Sequence, residues 1–300
     1  MTPSVPSRER FLETAFGFGW AVTRHAPEPA AARLVESAAD RWWKQRGAGV
    51  LQLEANLHRA VPTAAPDELT TLAQLALRSY FRYWHEVFRL PTWTPARVVD
   101  SVVTTNEAAL RKAFASHGGA IVALPHMANW DLAGAWACLT GMPVTTVAER
   151  LRPQSLFDRF VRYREELGMR VLALTGDGNS LSGLRDAVSA GRLVCLVADR
   201  DLGGTGVHVD LLGEPARLPG GAAALARLTD APLLAATLAY SGPLMRIDFS
   251  DPLPIRRGRG GVAQMTQEIA DFFSSGIVSA PVDWHMLQPG FTADLADSPP

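Results

Sequence analysis

Ala120-Ile121-Val122-Ala123-Leu124-Pro125-His126-Met127-Ala128-Asn129-Trp130-Asp131 joins two patterns of opposite character. Five apolar residues halted by a proline have the length and composition of a strand buried on both faces. The residues that follow, Leu132 to Leu139, are apolar and small enough to pack as a helix. A strand, a short turn and a helix are the repeating unit of an α/β sheet, and such sheets keep their ligand sites at the C-terminal tips of the strands. His126 falls at that tip. The turn after it can fold Asp131 back toward the imidazole, with one ring nitrogen on the carboxylate and the other facing substrate. That is the layout of a general base whose tautomer an acid holds. A histidine near an aspartate is usually a surface coincidence or a satisfied polar contact. The strand-end position and the apolar flanks favour the functional reading.

Downstream, strands and helices alternate. Strand patterns lie near 143–148, 170–174, 193–198, 207–212, 232–240 and 244–249, and helical patterns near 154–167, 180–190, 220–229 and 261–275. The spacing predicts an α/β fold: a mixed central sheet with helices on both faces. Just upstream, Val98–Val103 reads as a strand and Asn106–Ser116 as a helix capped at Thr105 or Asn106. Before Pro95 the chain is helical throughout, giving an N-terminal helical segment over 8–95 ahead of an α/β part over 96–292. Residues 1–7 and 293–300 read as loose ends.

The helical segment is unusually aromatic. Arg8 to Arg24 carries Phe11, Phe16, Phe18 and Trp20 in a wide apolar arc, with Arg8 and Arg10 at its head. Such an arc suits either a core-packing helix or one laid into a membrane surface. Asp67–Leu90 carries Tyr80, Phe81, Tyr83, Trp84, Val87 and Phe88, too many for one narrow stripe. Burial on two sides or a lipid-facing surface would account for them.

Composition bounds the function classes. At 300 residues, 47% apolar and 20% charged, the chain can bury a large core. A net charge of −1 offers no global field for nucleic acid. Of its 29 basic residues only Lys44 and Lys112 are lysines, a bias that codon usage explains better than phosphate binding does, though individual arginines can still hold a phosphate. Cys138 and Cys195 sit in apolar runs as small core residues, consistent with a reducing compartment. No secretory signal pattern opens the chain, and no run reaches the ~20 apolar residues that span a bilayer.

Several motifs compete. Thr175-Gly176-Asp177-Gly178 opens a helix, and Asp199 closes the next strand about where a dinucleotide fold keeps its ribose acid. Leu181 stands where that fold needs its third glycine, which weakens a nucleotide-dependent oxidoreductase. Gly178-Asn179-Ser180-Leu181-Ser182 misses the serine-hydrolase elbow by its second glycine. His208 and Asp210 share a strand face without a further ligand to build a metal shell, so no metal site is expected.

Charged clusters gather after His126. Glu149 and Arg150 follow one strand, and Arg159, Arg162 and Arg164 ride the next helix. Asp199, Arg200 and Asp201 close the apolar run Leu193–Ala198, and Arg217 comes later. The helix arginines suit a solvated face. The strand-end charges meet the same rim as His126 and must pair with each other or with a ligand.

Taken together, HMANWDLAGAWA, VAERLRP, FVRYREELGM, LVADRDLGGTGVHVDLLGEPAR and DWHMLQ resemble the actinobacterial phosphatidylinositol mannoside acyltransferases. These stand with the bacterial lipid A acyltransferases in a superfamily marked by a histidine and an acid separated by four residues. The likeness runs from about Arg8 to Phe291. It implies a glycerol-phosphate-acyltransferase-like fold, acyl-CoA (typically palmitoyl) as co-substrate with no other cofactor, and a mannose hydroxyl of a phosphatidylinositol-linked glycolipid as acceptor. It also implies a peripheral enzyme on the cytosolic face of the plasma membrane, against an anionic surface. His126 and Asp131 would be the catalytic pair. Glu149, Arg150, Arg164, Asp199, Arg200 and Asp201 would surround the substrates. A non-catalytic lipid-binding protein remains the alternative if the pair lies apart.

Overall fold

The computed structural model of the protein describes residues 24, 26–150, 153–174, 180–201 and 203–296. The aromatic segment 8–23 and the Thr175–Gly178 turn lie outside them. Among the described residues, three long helices precede the sheet: α1 (Glu28–Gln45), α2 (Ala48–Ala60) and α3 (Pro66–Arg89). Pro66 starts α3 where a missing N–H costs nothing, and Asp67 and Glu68 complement its N-terminal dipole. The crowded apolar surface of α3 is explained by burial on two sides. Ala73, Ala76 and Leu77 pack with Val50, Leu53 and Leu57 of α2. Further along the helix, Tyr83 and Val87 enter the main core.

Val98–Val103 is not a strand. Pro95–Asp100 forms a short helix, α4, and β1 begins only at Val102 (Val102–Thr105). The reason is local: Thr94 accepts a hydrogen bond from the Arg97 amide at 3.2 Å, and Pro95 follows it at the first helical position. That cap overrides the β-branched pair Val98-Val99.

The remaining strands are β2 (Ala120–Leu124), β3 (Val144–Ala148), β4 (Arg170–Ala173), β5 (Leu193–Val197), β6 (Val207–Leu211), β7 (Glu214–Leu218), β8 (Leu233–Ser241) and β9 (Leu244–Phe249). Seven of the nine strands among the described residues form a mixed sheet in the order β1-β9-β8-β2-β5-β3-β4. Every neighbouring pair in it is parallel except β8 with β9. The apolar run Ala120–Leu124 is the central strand, buried at all five positions. β6 and β7 stand apart as a hairpin closed by Leu212-Gly213, both in the left-handed region that a tight two-residue turn demands. Its second strand has no counterpart in the sequence pattern, because Pro215 disfavours a strand and only Ala216 and Leu218 supply an apolar face.

The other helices are α5 (Glu107–His117), α6 (Trp130–Leu139), α7 (Gln154–Glu166), α8 (Ser180–Ser189), α9 (Gly221–Thr229), α10 (Gly261–Ser279) and α11 (Thr292–Ala296). α8, α9 and α10 cover one sheet face. A Cβ at Gly276 of α10 would lie 2.4 Å from Thr237 of β8, so that helix approaches as closely as only glycine permits. α5, α6 and α7 lie over the opposite face and, with α3, roof a cavity there. The start of the expected loose tail is α11, held because Asp294 accepts from Arg59 and Gln52 of α2.

Candidate active site

His126 stands two residues beyond β2, and a neighbouring strand supplies its acid. β2 pairs with β5 in parallel, Leu124 opposite Val197, so the same register carried past both tips sets His126 beside Asp199. Asp199 Oδ1 lies 2.5 Å from His126 Nδ1, and Oδ2 accepts from the His126 backbone amide at 2.9 Å. Trp284, fully buried, donates its indole N–H to the same Oδ2 at 3.0 Å. Burial by itself would raise the Asp199 carboxyl. The charge of His126 and these hydrogen bonds outweigh it and hold the group below the usual aspartate range. With Nδ1 taken, Nε2 is the ring nitrogen left for the cavity that His126 lines.

The turn after β2 is braced from the far end of the chain. Ala128 donates its N–H to the Asp283 carbonyl at 2.9 Å, and the His285 N–H reaches the His126 carbonyl at 2.8 Å. Ala128 itself has φ 43°, a left-handed conformation that a side chain adopts at a cost. Asn129, wholly buried, accepts from the Leu132 amide to cap α6 and donates to Glu86. Asp131 thereby falls in the first turn of α6, turned away from the imidazole.

The expectation that Asp131 folds back onto His126 is corrected by this geometry. Asp131 takes Arg164 Nε at 2.6 Å and the Tyr83 hydroxyl at 3.0 Å, and it is almost fully buried. The spacing of four delivers the acid to α3 and α7, while the ring's partner comes from β5. Burial opposes the charge on Arg164, but the Asp131 carboxylate more than compensates and raises its pKa. Of the three arginines on α7, only Arg164 turns inward. Arg159 and Arg162 are exposed, the solvated face their spacing suggests.

The other charged residues divide. Glu149, exposed at the end of β3, and Arg200, half-buried after β5, both line the cavity. Arg150 is exposed beside Glu149 and outside the lining. Asp201 accepts from the Gly206 amide at 2.8 Å and faces Arg217 at 3.7 Å, so it ties its own loop to β7. His208 and Asp210 are exposed, and the described residues hold no group of acids, histidines or cysteines able to bind a metal. Asp199, the acid that a dinucleotide fold would set on a ribose, is spent on His126 and Trp284.

A second histidine escaped the sequence reasoning. The Ser79 hydroxyl donates to Asp283 at 2.6 Å and lies 3.0 Å from His285 Nε2. Its single proton being spent on Asp283, Ser79 accepts from Nε2–H, and His285 Nδ1 is left as a bare acceptor. That atom is buried without a partner, in a ring that lines the cavity. Burial, helped by the nearby charge of His126, pushes His285 down to about 3, so the ring is neutral. The clue was the close of the chain, Asp283-Trp284-His285, where three polar-headed residues interrupt an apolar run.

Below these groups the cavity of about 350 Å³ follows one face of the sheet. Alternate residues of three paired strands line it: Val122 and Leu124, Cys195 and Val197, Thr146 and Ala148. Its upper wall is aromatic, with Trp130 stacked on Tyr83 at 4.0 Å and edge-on to His126 at 5.1 Å. Burial pushes the Cys195 thiol up to about 12, so it is an inert part of this wall.

The site thus sets a histidine, held by a buried acid, against an apolar cavity. The chain is 43% identical to a phosphatidylinositol mannoside acyltransferase of Mycobacterium tuberculosis over 95% of its own length and 90% of the relative's. It is 40% identical to the protein of that name from Mycolicibacterium smegmatis, over 98% and 95%. Residues 4–293 match the bacterial lipid A biosynthesis acyltransferases, and the chain is a member of that acyltransferase family.

Proposed function

We propose that this acyltransferase moves a long acyl chain, palmitoyl by preference, from acyl-CoA to a mannose hydroxyl of a phosphatidylinositol mannoside. The observation that carries the reading is the His126 ring, bound to Asp199 through Nδ1 and facing an apolar cavity with its other edge. In the proposed reaction Nε2 takes the proton of the sugar hydroxyl as its oxygen attacks the thioester carbonyl. Asp199 stabilises the imidazolium that forms. Collapse of the tetrahedral intermediate breaks the carbon–sulfur bond, and the same proton passes from Nε2 to the departing thiolate. No covalent enzyme intermediate is needed.

The apolar cavity suits the acyl chain, and the polar rim suits the sugar. Glu149 offers a carboxylate to sugar hydroxyls, and His285 Nδ1 offers one more acceptor. Arg200 brings a guanidinium to the phosphates that both substrates carry. Arg164 serves at one remove, by fixing Asp131 and through it the start of α6.

The acceptor assignment leans on the relatives' name. A peripheral seat on the cytosolic face of an anionic membrane follows from a lipid acceptor. It accords with the absence, among the described residues, of a helix long and apolar enough to cross a bilayer. Flotation with anionic liposomes, weakened by salt, checks that seat. The direct test of the activity is transfer from labelled palmitoyl-CoA to purified mannosides, followed by chromatography of the lipid. Label in the mannoside supports the reading. Label only in free fatty acid, or transfer confined to another acceptor, contradicts it.

A further inference from the structure

Glycine in the interior of a helix weakens it, and α6 keeps one at Gly134. The position is buried and lines the cavity with Ala133, Trp136 and Ala137. What it makes room for is a single side chain. A Cβ at Gly134 would lie 2.4 Å from Met169 Sδ and 3.3 Å from its terminal methyl. Met169 is itself buried and lines the same cavity.

Its place along the cavity follows from the sheet. Met169 directly precedes Arg170, which pairs with Thr145 at the start of β3. His126 stands at the opposite ends of the strands, beyond Leu124. Val144 and Leu193, a cross-strand pair at the starting ends of β3 and β5, line the cavity at the level of Met169. A chain that enters past His126 and follows the sheet face down β3 and β5 meets the Met169 thioether. Methionine is unbranched and flexible, so its reach is set by what stands behind it, and here that is the bare face of Gly134.

We propose that Gly134 and Met169 together set the length of acyl chain the enzyme accepts: Gly134 leaves the recess into which Met169 withdraws, and Met169 bounds the space left for the chain. The proposal rests on the reading of the cavity as the acyl site. Filling the recess drives the thioether into the cavity and favours shorter chains. Truncating Met169 extends the space and favours longer ones.

The test measures kcat/KM for saturated acyl-CoAs from decanoyl to stearoyl at a fixed mannoside concentration, with melting temperature alongside. A buried methylene is worth about fourfold. Gly134→Ala and Met169→Phe should each lower the palmitoyl-to-lauroyl ratio by about tenfold or more. Met169→Ala should raise the stearoyl-to-palmitoyl ratio by about fourfold per methylene gained. Met169→Leu, which nearly conserves volume and keeps the fold, should shift the ratio in the direction of Met169→Ala by less. Folded variants whose kcat/KM falls by one common factor for every chain, with the wild-type ratios unchanged, overturn the proposal and leave the acyl site standing. If the larger variants fail to fold, an unchanged ratio in Met169→Leu overturns it alone. A wild-type enzyme that uses none of these thioesters overturns the acyl-CoA reading first, and the proposal with it.

Discussion

Removing the charge of Asp131 would leave the Arg164 guanidinium buried without its partner. Breaking such a pair from one side costs about 3 kcal/mol or more, because the remaining ion is uncompensated. Asp131→Asn should therefore melt well below wild type. Its His126–Asp199 contact is untouched, so kcat should fall less than when Asp199 is changed. Melting curves and steady-state rates on the same preparations check both halves. An Asp131→Asn protein that melts normally but turns over as poorly as His126→Ala would return Asp131 to the base. At this scale the sequence placed single charged residues better than it paired them. Arg164 read with its helix neighbours as part of a solvated face, while His126 and Asp199 were legible as strand-end charges. The pairing was not, since His126 and Asp199 are 73 residues apart and meet only through the register of β2 with β5. Local spacing favoured Asp131 because it was the near acid, and the helix start at Trp130 turned it away.

Elements delimited by strong end signals were read most surely. The central strand ends at Pro125, α3 begins at Pro66, and α5 is flanked by Asn106 and Gly118, both in left-handed conformations. Where two signals conflicted, the weaker was mistaken for the stronger, as when valines hid the Thr94 cap of α4. The start of α6 matters most to function, because it fixes the turn that carries His126. Its cap is Asn129, whose amide also satisfies Glu86 at 2.9 Å. Asn129→Ala removes a cap worth roughly 1 kcal/mol and strips Glu86 of one buried donor. The structure predicts a fall in melting temperature together with a loss of turnover as His126 loses its support. Asn129→Asp, which keeps the capping oxygen but faces Glu86 with a second acid, should not rescue it. Rescue by aspartate would show that the cap alone matters.

The whole molecule carries a pH signature from His285. Burial lowers its pKa from 6.5 to about 3, so between those values the unfolded chain binds a proton that the folded protein does not. Stability is fully present above about pH 6.5 and is lost as pH falls, by up to about 1.4 kcal/mol per unit. His285→Gln should flatten that limb in melting experiments between neutral and mildly acid pH. An unchanged limb would mean that the ring takes up its proton without unfolding. The N-terminal helices, the mixed sheet and its helices on both faces were all legible as pattern. The cavity was not, because it arises where alternate residues of three strands meet α3, α6 and α7. Its chemistry depends on one contact between two of those strands, and Asp199→Asn tests that contact most directly. The measurement is steady-state transfer from palmitoyl-CoA to the mannoside by folded Asp199→Asn and Asp131→Asn proteins beside wild type. Asp199→Asn should lose about 10²–10⁴ in kcat, while Asp131→Asn should lose less at a lower melting temperature. Wild-type turnover by Asp199→Asn, with Asp131→Asn folded and inactive, would contradict the role given to Asp199.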